Sequence, residues 1–231
     1  MTEQSPDIPQ RKPLVRDDAA YVLPMLIFLA FTWASGNWPG TYAWMYLLKT
    51  VFTTIALIVL WPSYTRIKWN FAWLGFLVGV IGIVQWIGMQ LLLQKYFEHL
   101  RPTGDSFNPE KEFASTQWRY AFYALRIAGA VLVVPIMEEL FWRDFLWRSI
   151  LAPNDFKLAQ VGEWAWAPFL IVAGVFATVH GNWWPTAIVW ALMIGVLLIY
   201  TKSLGACIIA HATTNLLLAA YVLHTRDWSF W

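Results

Sequence analysis

Long apolar runs, separated by short polar connections, decide what this chain can fold into. Tyr42–Trp61 and Phe71–Leu93 contain about 20 residues each with at most one Asp, Glu, Lys or Arg. An α-helix needs about 20 apolar residues to cross the ~30 Å hydrocarbon core of a bilayer. Lipid offers no hydrogen bonds to the backbone, so a spanning segment must satisfy its own N–H and C=O groups. Helices do this within one segment. A transmembrane barrel would need apolar and polar residues in alternation, and these runs are continuous. Charged residues make up 13% of the 231 residues, against about 25% in a typical soluble domain. The expected fold is an all-α polytopic membrane protein, a bundle of about seven (six to eight) transmembrane helices around an intramembrane polar cavity.

The seven spans are expected near 20–35, 42–61, 71–93, 118–150, 164–180, 186–200 and 205–224, with a kink of the fourth at Pro135. The connection from Gln94 to Gln117 is the longest, contains the turn signal Arg101-Pro102-Thr103-Gly104-Asp105 and has room for an interfacial helix. The chain then divides into a polar tail (1–19), N-terminal transmembrane helices with the long polar loop (20–117), a helical core (118–224) and a C-terminal tail (225–231). The start of the chain does not read as a cleavable signal peptide, because its polar stretch is too long and further spans follow.

Basic residues give the orientation. Arg11, Lys12, Arg16, Arg66, Lys68, Arg148, Lys157 and Lys202 fall on the N-terminal side, against Lys95, Arg101, Lys111, Arg119 and Arg226 on the other. The excess favours a cytoplasmic N-terminus and an integral, multi-pass protein of the cell (inner) membrane. A net charge of +2 excludes an electrostatic nucleic-acid binder, and a single cysteine, Cys207, excludes an internal disulfide or a cysteine-based metal site.

Three patterns place costly groups in this apolar setting: Glu138-Glu139-Leu140-Phe141-Trp142-Arg143, Phe176-Ala177-Thr178-Val179-His180 and His211-Ala212-Thr213-Thr214-Asn215. Ionisable residues in membrane spans mark functional sites by default. On a helix i and i+4 share a face, so Glu139 and Arg143 should pair. Glu138, about 100° away, should then turn to the bundle interior, the partly desolvated setting a general base needs. His211 and Asn215 are also i and i+4 and offer two donors from one face, as an oxyanion hole requires. His180, beside the Gly181-Asn182 turn, could share a water with Glu138. Each pattern taken singly has a plain structural reading, as a paired anion or as hydrogen-bonding glue between helices. Lys49 reads as a packing or snorkelling residue, and Arg126 as a paired arginine or a holder of a substrate carboxylate.

In this order, Glu-Glu-x-x-x-Arg, Phe-x-x-x-His and His-x-x-x-Asn resemble the CAAX protease and bacteriocin-processing family of intramembrane endopeptidases, over roughly residues 118–223. The resemblance implies that Glu138 and His180 activate a water, that His211 and Asn215 stabilise the oxyanion, and that Glu139 and Arg143 support them. It implies a membrane-associated protein or peptide as substrate, with the lipid bilayer and no nucleic acid as partner. No cofactor and no metal are expected. Zinc held by Glu138, His180 and His211 is the alternative, though no His-Glu-x-x-His pattern is present. A non-catalytic scaffold or immunity protein on the same fold is the rival from another class. One difficulty is geometric. A simple fifth span puts His180 near one membrane face, while His211 lies about seven residues, or ~10 Å of rise, from the other. They meet only if that helix is tilted or displaced, or the turn after it dips inward.

Overall fold

The computed structural model describes residues 17–38, 40–102 and 106–231. The greater part of the polar tail, with Arg11, Lys12 and Arg16, and Thr103–Asp105 of the expected turn lie outside the described residues.

The described chain is helical throughout its ordered elements. Helices α1 (Asp17–Asn37), α2 (Tyr42–Leu60) and α3 (Ala72–Tyr96) are followed by α4, continuous from Thr116 to Leu151. Then come α5 (Trp166–Thr178), α6 (Trp184–Thr201) and α7 (Leu204–Thr225). Among the described residues six helices are long and apolar enough to cross a membrane, and α5 is not. Of the seven expected spans, the fifth, placed at 164–180, is thus the one that falls short, which leaves six, within the expected six to eight. Thirteen residues rise about 20 Å, short of a ~30 Å core. The chain reverses through a 3₁₀ turn, Gly181–Trp183, and Asn182 Nδ2 donates to the Arg101 carbonyl at 2.8 Å. The long connection contains only a 3₁₀ turn (Glu98–Leu100) and a one-turn helix (Pro109–Glu112) where an interfacial helix had room.

Helix α3 shows how the bundle closes. Its buried residues are Gly75, Gly79, Gly82 and Gln90, and its other faces are large apolar side chains turned outward. Spacings of four and three put the glycines on one face, where small residues let two backbones approach without a hydrophobic driving force between them. A Cβ on Gly75 would sit 2.3 Å from the Ala206 carbonyl oxygen, and one on Gly79 would sit 2.6 Å from that of Ala210. Helices α3 and α7 therefore run parallel in near-backbone contact. The start of α7 is pinned as well: Ser203 Oγ caps Ala206 N at 3.2 Å and donates to the carbonyls of Lys68 and Asn70 at 2.8 Å.

Candidate active site

Helix α4 carries the acidic part of the cluster, and proline shapes it. Pro135 has no N–H and its ring crowds the carbonyl of the preceding turn. The helix widens into a π turn over Gly129–Val133, with Val134 N–H bonded to the Gly129 carbonyl. In that i→i−5 register the next donor, to Ala130, would be Pro135. The Ala130 carbonyl is left over, and Asn215 Nδ2 reaches across from α7 to bond it at 2.7 Å. A second π segment spans Leu140–Leu146. Extra residues inserted in this way re-aim side chains and are frequent at functional sites.

Between the two π segments lie the adjacent glutamates. Glu139 is fully buried. Its Oε2 lies 3.3 Å from Arg143 Nε, the i, i+4 ion pair expected from the spacing. Its Oε1 lies 2.9 Å from His211 Nδ1, a contact between residues 72 apart in sequence. Glu138 is buried too, yet its Oε2 has no protein hydrogen-bond partner. The charges acting on it come from His211, Glu139, Arg143 and Lys49.

The two histidines are held alike. A carboxylate and a backbone carbonyl only accept hydrogen bonds, so the histidine nitrogen facing each must carry the hydrogen. His211 donates Nδ1–H to Glu139, with its ring edge-on to Trp190 at 5.9 Å. His180 donates Nδ1–H to the Phe176 carbonyl at 2.7 Å. Its ring lies 4.3 Å from that of Phe176 and edge-on to Trp86 at 5.8 Å. Among the described residues neither Nε2 has a hydrogen-bond partner, which leaves both to meet water or a ligand.

Phe176 matters beyond its place in a pattern. The Arg143 guanidinium sits over its ring at 4.9 Å, and Trp142 packs edge-on at 5.8 Å. One aromatic ring thus joins the Glu139–Arg143 pair to His180. The four-residue spacing of Phe176 and His180 carried this signal, because i−4 is the carbonyl a helix-end histidine can reach. The contributions of Trp86 and Trp190 had no local signal.

The structure brings Glu138, Glu139, Arg143 and His211 into one buried cluster and sets His180 against it through Phe176. No hydrogen bond or ion pair joins Glu138 to His180. Asn215 is on the α4-facing side of α7, as His211 is, with one amide hydrogen used on Ala130. Among the described residues no three His, Cys, Asp or Glu side chains are grouped as a metal site. Cys207 is fully buried, with Sγ 3.9 Å from the Ile194 carbonyl on α6. Arg126 donates to the Tyr42 hydroxyl at 2.7 Å and lies over the Tyr46 and Trp231 rings. Lys49 is buried against Phe28 and Tyr46, with Thr32 Oγ1 at 3.3 Å.

Residues 120–217 match the family model described as type II CAAX prenyl endopeptidase Rce1-like. This segment is similar to that family. It covers a little under half of the 231 residues and includes Glu138, Glu139, Arg143, His180, His211 and Asn215, while α1 to α3 precede it. Comparisons with curated proteins and with solved structures gave no match. With its six long apolar helices, the protein is an integral, multi-pass membrane protein, and its segment 120–217 is similar to a family of proteases.

Proposed function

We propose that this protein is an intramembrane endopeptidase that cuts a membrane-associated protein or peptide by means of a water activated by Glu138. The observation that carries this reading is the contrast between two neighbouring carboxylates in one buried cluster. Glu139 is ion-paired with Arg143 and hydrogen-bonded to His211, whereas Glu138 has neither an ion pair nor a side-chain hydrogen bond among the described residues and buries one oxygen in that state. A buried carboxylate oxygen lacking a donor is costly, and a water to be deprotonated supplies that donor.

In this mechanism Glu138 accepts the proton of the water, and the hydroxide attacks the substrate carbonyl. His180 orients the water through Nε2, its ring being held by the Phe176 carbonyl. The developing oxyanion is met by a hydrogen donated from His211 Nε2 and by the free amide hydrogen of Asn215. Such donors act strongly because the site excludes bulk water and they are fixed before the reaction. The proton on Glu138 then passes to the leaving amine, closing the cycle as a general acid. Glu139 and Arg143 position His211 and Phe176 and touch no reacting atom. Glu138, His180, His211 and Asn215 supply each of these roles, so cleavage should survive exhaustive chelation.

The test compares the termini of membrane proteins, by mass spectrometry, in cells carrying the wild type or Glu138→Gln. Termini that vanish in the variant, at equal protein abundance, support the protease and identify its substrate. Identical termini would favour the scaffold reading.

A further inference from the structure

Beyond the C-terminal end of the Glu138–Arg143 stretch, the ends of α4, α6 and α7 meet the α2–α3 connection around a cavity of about 360 Å³. Five cationic side chains line it, Arg66, Lys68, Arg148, Lys157 and Lys202, and no carboxylate does. Two of the five are compensated from outside the lining. Arg148 pairs with Asp144, and Lys157 with Asp17 at 2.6 Å. Arg148 is also saturated by Thr65 Oγ1 and the carbonyls of Ala159 and Lys157, so it forms a fixed floor. Lys202 bonds only the Gly162 carbonyl. Among the described residues, Arg66 and Lys68 make no side-chain hydrogen bond or ion pair. Among the described residues, three positive charges thus converge on one concavity with no anion to meet them. Like charges this close repel, and the arrangement is favourable only with an anion present.

The depth of the cavity says what that anion is attached to. Trp61, Trp69, Phe71, Tyr200 and Trp166 are exposed at this end of the bundle. Tryptophan and tyrosine collect at the headgroup level of a bilayer, and the loop charges of the sequence put this end on the expected cytoplasmic side. Basic pockets between helices on the cytoplasmic side suit anionic headgroups.

We propose that this cavity binds the phosphate group of an anionic phospholipid, with Arg66, Lys68 and Lys202 as its direct ligands. A phosphate offers several acceptor oxygens, and arginine and lysine are the side chains that match them. Bound there, it would tie the α2–α3 connection, the α4–α5 connection and the α6–α7 turn together. Ser203 and Lys68 already link that turn to the α2–α3 connection. The lipid would therefore brace the base of α7, the helix carrying His211 and Asn215.

The test uses the full chain purified in a neutral detergent. Thermal unfolding is followed during titration with phosphatidylglycerol, with phosphatidylcholine and with inorganic phosphate, for the wild type and Arg66→Gln/Lys68→Gln. Removal of each cation should weaken phosphatidylglycerol binding about fivefold, roughly thirtyfold for both. Phosphatidylcholine should not shift the transition. If inorganic phosphate protects the wild type as well as the lipid does, and the double variant loses that protection, the phosphate site stands and its occupant is a soluble phosphate compound. Equal phosphatidylglycerol affinity in wild type and variant, or no binding to either, overturns the proposal. Should the double variant fail to fold, Arg66→Lys/Lys68→Arg provides the check. It keeps both charges and should retain affinity within about twofold, whereas Lys202→Gln alone should lose about fivefold.

Discussion

Two groups of charges on α4, one turn apart, are treated in opposite ways. Toward its C-terminal end, Asp144 accepts from Tyr21 at 3.0 Å and pairs with Arg148, which spends its donors on Thr65 and two backbone carbonyls. No polar side-chain atom of that group is buried without a partner. In mid-bundle, Glu138 Oε2, Glu139 Oε2, Trp142 Nε1 and both Arg143 Nη atoms are buried without hydrogen bonds. Since most buried polar groups in proteins are satisfied, a run of orphans over six residues is a departure with a location. The first group is built for stability. The second leaves valences open, which under the proposed mechanism water and a peptide bond would fill. A site that gives up stability in this way resembles the usual trade between stability and activity.

The sharpest way to break the comparison is Glu138→Gln. We expect cleavage to fall by about 10²–10⁴-fold, the contribution of a general base, while the thermal transition stays or rises because an uncompensated buried charge has gone. A variant that is less stable yet fully active would invert the assignment. His211→Ala should lower kcat by about 10²–10³-fold, as removal of an oxyanion donor does. It should also destabilise the bundle, because Glu139 loses a partner. Single-turnover assays on the folded fraction separate the two effects.

The saturated group should behave in reverse. Asp144→Asn strands the buried Arg148 guanidinium, and breaking a buried pair this way costs about 3–5 kcal/mol. Denaturant unfolding in detergent should report that loss, with activity per folded molecule kept near wild type. Asn215→Ala should be the mildest. It strands the Ala130 carbonyl, at about 1–3 kcal/mol, and removes one donor from the site, so both readouts should fall moderately. A change in only one of them would show which of its two bonds matters.

Much of the helical framework was legible in the sequence, and α5 shows where the reading failed. Hydropathy counts apolar residues, and Trp164–His180 has enough of them to look like a span. What ends the helix early is the Gly181–Trp183 turn, held by Asn182 on Arg101, a contact that no local pattern encodes. The shortened helix answers the geometric difficulty in part. His180 sits against Trp86, in mid-course of α3, rather than at the end of a full crossing.

By itself the sequence determined the helical class, because apolar length alone excludes other ways of satisfying the backbone in lipid. It also determined the Glu139–Arg143 pair, because i, i+4 proximity is a property of the helix and needs no fold. Only the tertiary structure decided that Glu139 also holds His211, that Asn215 caps the carbonyl left by Pro135, and that Phe176 joins Arg143 to His180. It alone gathered Arg66, Lys68 and Lys202 from separate connections into one basic cavity. The physical reason is common to all four. Helical periodicity encodes neighbours within a turn or two, whereas contacts between helices depend on how their faces pack, and the glycine face of α3 against α7 sets that packing.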